Sequence, residues 1–229
     1  MDNLIRHIKF PMVFDVEKLK IDVEKVVPIN WVDHFNKNDY VGNWSSIALM
    51  SEDGKSENIS AMNLGNKSLI YTEALNSCNY FKKILDELLF EKTSVRLLRL
   101  AVGAEIKPHK DYCLGYEDGC FRIHIPIITN PEVEFILNNE RIIMNEGECW
   151  YIDANFTHSV TNKGNEDRIH LVIDGIRNKW TDALFFKEAD QTNFIKPVPE
   201  LKETDKERII EELKRQNTAT ATKIIQNLR

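Results

Sequence analysis

Charged and aliphatic positions alternate with helical spacing from Asp15 to Val26, which predicts a short surface helix. A second helix is expected over Tyr80–Phe90, where Phe81, Ile84, Leu85, Leu88 and Leu89 recur at steps of three and four. Such a stripe packs on a sheet. Between them, Trp44–Met50 reads as a strand that ends at the turn Glu52-Asp53-Gly54. From Ser94 to Ile176 the pattern changes to short extended runs, each closed by turn residues. They are Val95–Val102, Phe121–Ile128, Val133–Leu137, Arg141–Met144, Cys149–Ile152, Ser159–Thr161 and Arg168–Ile173. Many short strands at even spacing predict a sandwich or barrel, and a barrel-like jelly roll is the version whose interior holds a ligand. From about Trp180 the texture differs again. Glu203–Gln216 is highly charged with Ile209, Ile210 and Leu213 on one stripe, Thr218–Leu228 reads as a further helix, and Pro197 and Pro199 mark the connector. The expected organisation is a mainly β core with flanking N-terminal helices over residues 1–178 and a C-terminal helical appendage over 179–229.

Two of the runs carry the same small pattern, Arg122-Ile123-His124 and Arg168-Ile169-His170. Alternation on a strand puts arginine and histidine on one side and the aliphatics on the other. Phe121, Ile123, Ile125 and Ile127 extend the apolar side of the first, and Ile169, Leu171 and Ile173 that of the second. An apolar side packed on other elements and a basic side lining a cavity fits both.

Composition narrows the class. The chain has 229 residues, 42% hydrophobic and 29% charged, ordinary for a globular protein and enough for a real core. A net charge of −6 argues against a nucleic-acid partner, which would call for a basic balance. The stretch from Met1 to Pro11 carries Asp2, Arg6, His7 and Lys9 and has no apolar h-region. No run approaches the roughly 18 apolar residues of a membrane span, so no membrane partner and a cytoplasmic location are expected. Cys78, Cys113, Cys120 and Cys149 form no C-x-x-C pair, which disfavours a thiolate zinc site and fits reduced thiols.

The candidate chemistry lies in His109-Lys110-Asp111, a distant His158, and Arg168. On extended chain, residues i and i+2 point to the same side, so His109 and Asp111 can share one metal while His158 arrives from another strand. Two imidazoles and a carboxylate with open positions are the ligand set of non-haem iron oxygenases. Arg168 suggests a dicarboxylic co-substrate gripped at its far end, because a guanidinium matches a carboxylate in a fork and stays charged. Interior arginines need carboxylate partners, and Asp174 is one acid able to neutralise an arginine internally. Gly-rich phosphate loops, G-x-S-x-G and H-E-x-x-H are absent.

These residues sit in a segment, about Leu97–Gly175, that resembles the aspartyl/asparaginyl β-hydroxylase family of iron(II)/2-oxoglutarate dioxygenases, and within it the bacterial free-proline cis-hydroxylases. The text that carries the resemblance is Lys107-Pro108-His109-Lys110-Asp111-Tyr112, Phe121-Arg122-Ile123-His124-Ile125-Pro126, Gly147-Glu148-Cys149-Trp150-Tyr151-Ile152-Asp153-Ala154, His158-Ser159 and Arg168-Ile169-His170-Leu171-Val172-Ile173-Asp174. The resemblance implies a double-stranded β-helix of the jelly-roll or cupin kind. It implies iron ligation by His109, Asp111 and His158, and 2-oxoglutarate held by Arg168, with Arg122 and His124 near co-substrate or substrate carboxylates. The reaction implied is hydroxylation of an unactivated C–H bond using dioxygen, with release of succinate and carbon dioxide. An acid at position 111, which peptide-modifying vertebrate-type members lack, leans toward a small-molecule substrate, a free amino acid or a derivative of one rather than a peptide. The competing readings are a cupin-type metal isomerase or hydrolase without 2-oxoglutarate, and a non-catalytic barrel that binds a carboxylate.

Overall fold

A computed structural model describes residues 4–60, 68–196, 203–216, 218, 222 and 224–226. In chain order the elements are β1 (His7–Val13), α1 (Val16–Val26), β2 (Val32–Asp33), β3 (Tyr40–Val41), β4 (Trp44–Ser51), β5 (Ile70–Tyr71), α2 (Glu73–Asn76), α3 (Asn79–Glu87), β6 (Lys92–Leu100) and β7 (Glu105–His109). There follow β8 (Cys120–Ile128), β9 (Val133–Leu137), β10 (Glu140–Ile142), β11 (Glu148–Ile152), β12 (His158–Asn162), β13 (Arg168–Ile176), α4 (Lys179–Glu188) and α5 (Glu203–Gln216). The two helices read from periodicity are both present. Asp15 caps α1 by accepting from the Lys18 backbone N–H, and the buried Asp22 carboxylate accepts from the backbone N–H groups of Tyr80 and Phe81 at the start of α3.

The strands form two antiparallel sheets. The larger has the order β1-β11-β8-β13-β6-β4-β2, with β5 added beside β4, and the smaller has the order β10-β9-β12-β7-β3. From β6 to β13 the chain passes repeatedly between the sheets, and only the β9–β10 hairpin stays within one. Its turn is Asn138-Asn139, both with positive φ, the backbone a two-residue hairpin requires and asparagine tolerates. This is the mainly β, double-stranded β-helix architecture that the residue pattern and the resemblance imply.

The alternation in β8 and β13 has the consequence expected of it. Phe121, Ile123, Ile125, Ile127, Ile169, Leu171 and Ile173 join one core with residues of β4, β6 and β11, sealed by Leu19 and Val23 of α1, Phe81, Ile84 and Leu85 of α3 and Phe185 of α4. Their polar neighbours Arg122, His124, Arg168, His170 and Asp174 lie on the opposite face of the sheet, and all are buried. A smaller core between the sheets contains Trp44, Leu100, Ile106, Phe135, Leu137, Met144, Trp150 and Val160.

Two segments depart from the sequence reading. His7–Val13, not read as a strand from the sequence, is an edge strand paired with β11, and its register slips between Phe10 and Val13, around Pro11. Proline is tolerated in a strand at such an edge irregularity. Second, α4 belongs with the barrel and not with the tail. The chain separates into two compact units, one that runs to Ile195 and a smaller one from Lys196, and Phe185 and Phe194 are both in the main core. In the smaller unit α5 matches the expected Glu203–Gln216. Of the expected helix Thr218–Leu228, most positions lie outside the described residues, and 224–226 are helical.

Candidate active site

His109 ends β7 and His158 begins β12, and the two are register partners across the smaller sheet. Their ring centroids are 4.3 Å apart. Asp111 lies just past the end of β7, where its backbone N–H donates to the Ala154 carbonyl at 2.9 Å, tying it to the loop that delivers His158. One ligand atom from each of His109, Asp111 and His158 lies within 4.8 Å of the others, a group able to hold a metal ion. Each imidazole spends its δ nitrogen on a carbonyl: His109 Nδ1 on Lys107 at 2.8 Å and His158 Nδ1 on Phe156 at 3.0 Å. A carbonyl only accepts, so the δ nitrogens carry the protons and the ε lone pairs are left for a metal. Burial, and next the charge of His109, depresses the His158 pKa to about 4, which keeps its imidazole neutral at physiological pH.

Asp111 is oriented from behind. Arg122 Nη1 donates to its Oδ2, while Oδ1 lies 4.0 Å from His109 Nε2. The rest of the Arg122 fork closes on Asp174, with Nε–Oδ1 at 2.7 Å and Nη2–Oδ2 at 3.0 Å. Burial works against the Arg122 charge, but Asp174 and Asp111 outweigh it and hold its pKa above the ordinary arginine value. The resemblance implies that Arg122 sits near co-substrate or substrate carboxylates; here its donors are engaged by two acids of the chain itself. Asp174 also takes Arg96 Nη2 at 3.4 Å.

Arg168 differs. It is 3% exposed, its Nη2 contacts His170 Nδ1 at 3.0 Å, and its Nε has no partner. Among the described residues no carboxylate forms an ion pair with it. Burial drives its pKa down to about 9. The buried imidazoles of His124 and His170 are pushed well below the usual histidine range, first by burial and then by the Arg168 charge, and His124 Nδ1 is also unpartnered. An unmatched guanidinium buried beside the neutral His170 imidazole is a costly arrangement that a bound anion relieves.

Further residues complete the wall, and the sequence reading missed them. Trp44 of β4 lies 6.2 Å from the His109 ring, and His34 stacks on Trp44 at 3.7 Å with 9° between planes. Trp44 Nε1, Ser46 Oγ, Ser94 Oγ and Arg96 Nε are buried without hydrogen-bond partners. In the sheet Ser46 pairs with Leu98, and Arg96 with Val172 between His170 and Asp174, so both serines and Arg96 share the face of Arg122 and Arg168. The signal was available: Ser94-Val95-Arg96-Leu97 alternates polar and apolar just as Arg122-Ile123-His124 does.

A sequence model of the aspartyl/asparaginyl β-hydroxylase family matches residues 15–178. This chain belongs to that family. Among curated relatives, the L-proline cis-4-hydroxylase of Rhizobium meliloti (strain 1021) is 28% identical over 160 residues, covering 69% of this chain and 54% of that protein. L-proline cis-3-hydroxylase 1 of a Streptomyces species is 27% identical over 172 residues, covering 73% and 59%. The chain therefore spans little more than half the length of these relatives. Among solved structures, an oxidoreductase of the 2OG-Fe(II) oxygenase family from Burkholderia pseudomallei superposes with a TM-score of 0.51 at 10% identity, over 75% of this chain and 86% of that one. HygX from Streptomyces hygroscopicus, solved with nickel and 2-oxoglutarate bound, gives 0.50 at 9% identity, over 76% and 83%. These likenesses establish the double-stranded β-helix fold for the family member described here.

Proposed function

We propose that the protein is an iron(II)- and 2-oxoglutarate-dependent hydroxylase of an amino acid or a close derivative. The observation that carries the reading is the convergence of His109, Asp111 and His158 with both ε nitrogens unspent. The unpaired, buried Arg168 supports the co-substrate half, because it is the one interior arginine of β8 and β13 that no acid neutralises among the described residues. The donor set fits iron(II): two imidazoles and one carboxylate leave coordination positions open. Iron(II) with 2-oxoglutarate supplies activation of dioxygen for hydroxylation of a C–H bond, with succinate and carbon dioxide as co-products.

The residues of the chain do the rest. Arg122 holds Asp111 in place, Arg168 fixes the far carboxylate of 2-oxoglutarate, and His124 and His170 stay neutral beside it. Trp44 and His34 provide an aromatic wall near the metal ligands. Arg96, Ser46 and Ser94 face the same interior with donors to spare, which suits a substrate carboxylate. Rigid placement matters, since a shift of about an ångström costs on the order of a hundredfold in rate. The relatives' names place their activity on L-proline, so L-proline is the first substrate to test. No nucleic-acid or membrane partner is part of the reading. Among the described residues no helix is long and apolar enough to cross a membrane, and the four free cysteines fit a reducing cytoplasm.

The test is succinate release from purified protein supplied with iron(II), 2-oxoglutarate and a panel of free and N-acylated amino acids. Substrate-dependent succinate with a hydroxylated product supports the reading. Metal binding without any 2-oxoglutarate turnover across the panel favours a cupin-type isomerase or hydrolase; neither metal nor turnover leaves a carboxylate-binding barrel.

A further inference from the structure

The cavity that reaches Arg168 does not begin at the metal ligands. It has a volume of about 630 Å³ and runs under the β9–β10 hairpin, with Phe135 and Met144 on its walls and Arg168 and His170 among its lining residues. Neither His109, Asp111 nor His158 lines it. Arg141 and Ile143 belong to the lining as well, and Ile143 is 65% exposed while Arg168 and His170 are 3% and 2% exposed. The space thus extends from the exposed Arg141 and Ile143 to the buried Arg168 and His170.

Its charge suits one class of ligand. Arg141 is fixed at the outer end, its Nη2 donating to the carbonyls of Pro131 and Val133 at 2.7 and 3.2 Å. Arg168 stands at the inner end with Nε unpartnered. The acid in the lining, Glu146, is matched by Lys20 at 2.7 Å. A small dianion therefore meets a cation at the mouth, an apolar passage and a second cation inside, an arrangement that raises local ligand concentration and association rate.

We propose that this cavity is a side entrance for 2-oxoglutarate and an exit for succinate. The inference rests on the co-substrate reading of Arg168 given above. The dicarboxylate enters oxo-acid end first, and its trailing carboxylate comes to rest on Arg168. Exchange by this route leaves the wall formed by Trp44 and His34 to the amino-acid substrate, so the two ligands do not block one another.

The experiment is stopped-flow binding of 2-oxoglutarate to the nickel-loaded full chain, followed by tryptophan fluorescence, with Arg168→Ala as the control for the site itself. Ile143→Trp adds bulk at an exposed rim position. It is expected to slow association and dissociation together by about tenfold, leaving Kd within about twofold, the signature of a passage and not of a binding contact. Arg141→Glu reverses the charge at the mouth and should slow association by about tenfold at low salt, with the difference shrinking at high salt. Binding that Arg168→Ala abolishes, together with unchanged rates in both rim variants, overturns the entrance and leaves the co-substrate reading standing. Failure of the unaltered protein to bind 2-oxoglutarate overturns both.

Discussion

Arg122 and Asp174 face each other as register partners on β8 and β13, and their side chains close a two-pronged ion pair. The remaining arm of the guanidinium reaches Asp111. A buried acid with no metal contact thereby sets the orientation of a proposed metal ligand. Asp174→Asn is expected to lower nickel or iron affinity by about 10- to 100-fold, the usual effect of removing a partner behind a ligand. Breaking the buried pair should also cost about 3–5 kcal/mol of stability. Titration calorimetry and denaturant unfolding check the two effects separately, and wild-type metal affinity in the variant would detach Arg122 from the metal site.

His158→Ala removes one of three proposed ligands at a position of the smaller sheet that is 8% exposed. Loss of measurable iron(II) binding and of succinate formation is expected, with the fold retained by circular dichroism. A variant that still binds one iron per chain tightly would take His158 out of the ligand set.

Arg168 leads to a less intuitive expectation. Its charge is buried and unmatched when no anion is bound, so Arg168→Met should stabilise the ligand-free protein by about 1–3 kcal/mol. The same change should weaken 2-oxoglutarate binding by about 100-fold or more, since a forked, charge-assisted contact is lost. Thermal melts with and without 2-oxoglutarate read both effects. A lower melting temperature for the ligand-free variant would mean that Arg168 already has a stabilising partner.

Asp153 gives a pH dependence. It is fully buried, its Oδ1 accepts from the Asn155 backbone N–H at 3.0 Å, and its Oδ2 has no partner. Burial, and next the charge of Glu117, raises its pKa from 3.8 to about 7. The folded state therefore holds the proton where the unfolded chain releases it, and stability falls as pH rises from about 4 to about 7. Asp153→Asn keeps the acceptor and never ionises. Its stability advantage should be near zero at pH 4 and grow to on the order of 3 kcal/mol at pH 8. Parallel wild-type and variant curves of unfolding free energy against pH would rule the effect out.

Phe185 of α4 stacks on Tyr116 at 3.7 Å between ring centroids and is fully buried. Phe185→Ala should cost about 3–5 kcal/mol, and ending the chain near Trp180 should cost the fold itself, because Phe194 is lost too. A chain ending at Ile195 should keep a cooperative melt. If loss of 181–195 left the melting temperature unchanged, α4 would belong with the tail after all.

The elements whose information is local were legible in the sequence. The faces of β8 and β13 followed from a period of two, and α1 and α3 from a period near 3.6. The candidate ligand set was legible for the same reason: residue types alone state what they are able to coordinate. The edge strand β1 was not, because Pro11 argues against a strand until β11 lies alongside to accommodate the irregularity. Nor was the difference between the two arginines. Arg122-Ile123-His124 and Arg168-Ile169-His170 are the same text, and nothing within either segment distinguishes them. Register does: it sets Asp174 opposite Arg122, whereas Arg168 pairs with Leu100. One guanidinium is neutralised by the chain and the other is left for a ligand, because charge pairing depends on which strands lie side by side, and only the folded sheet decides that.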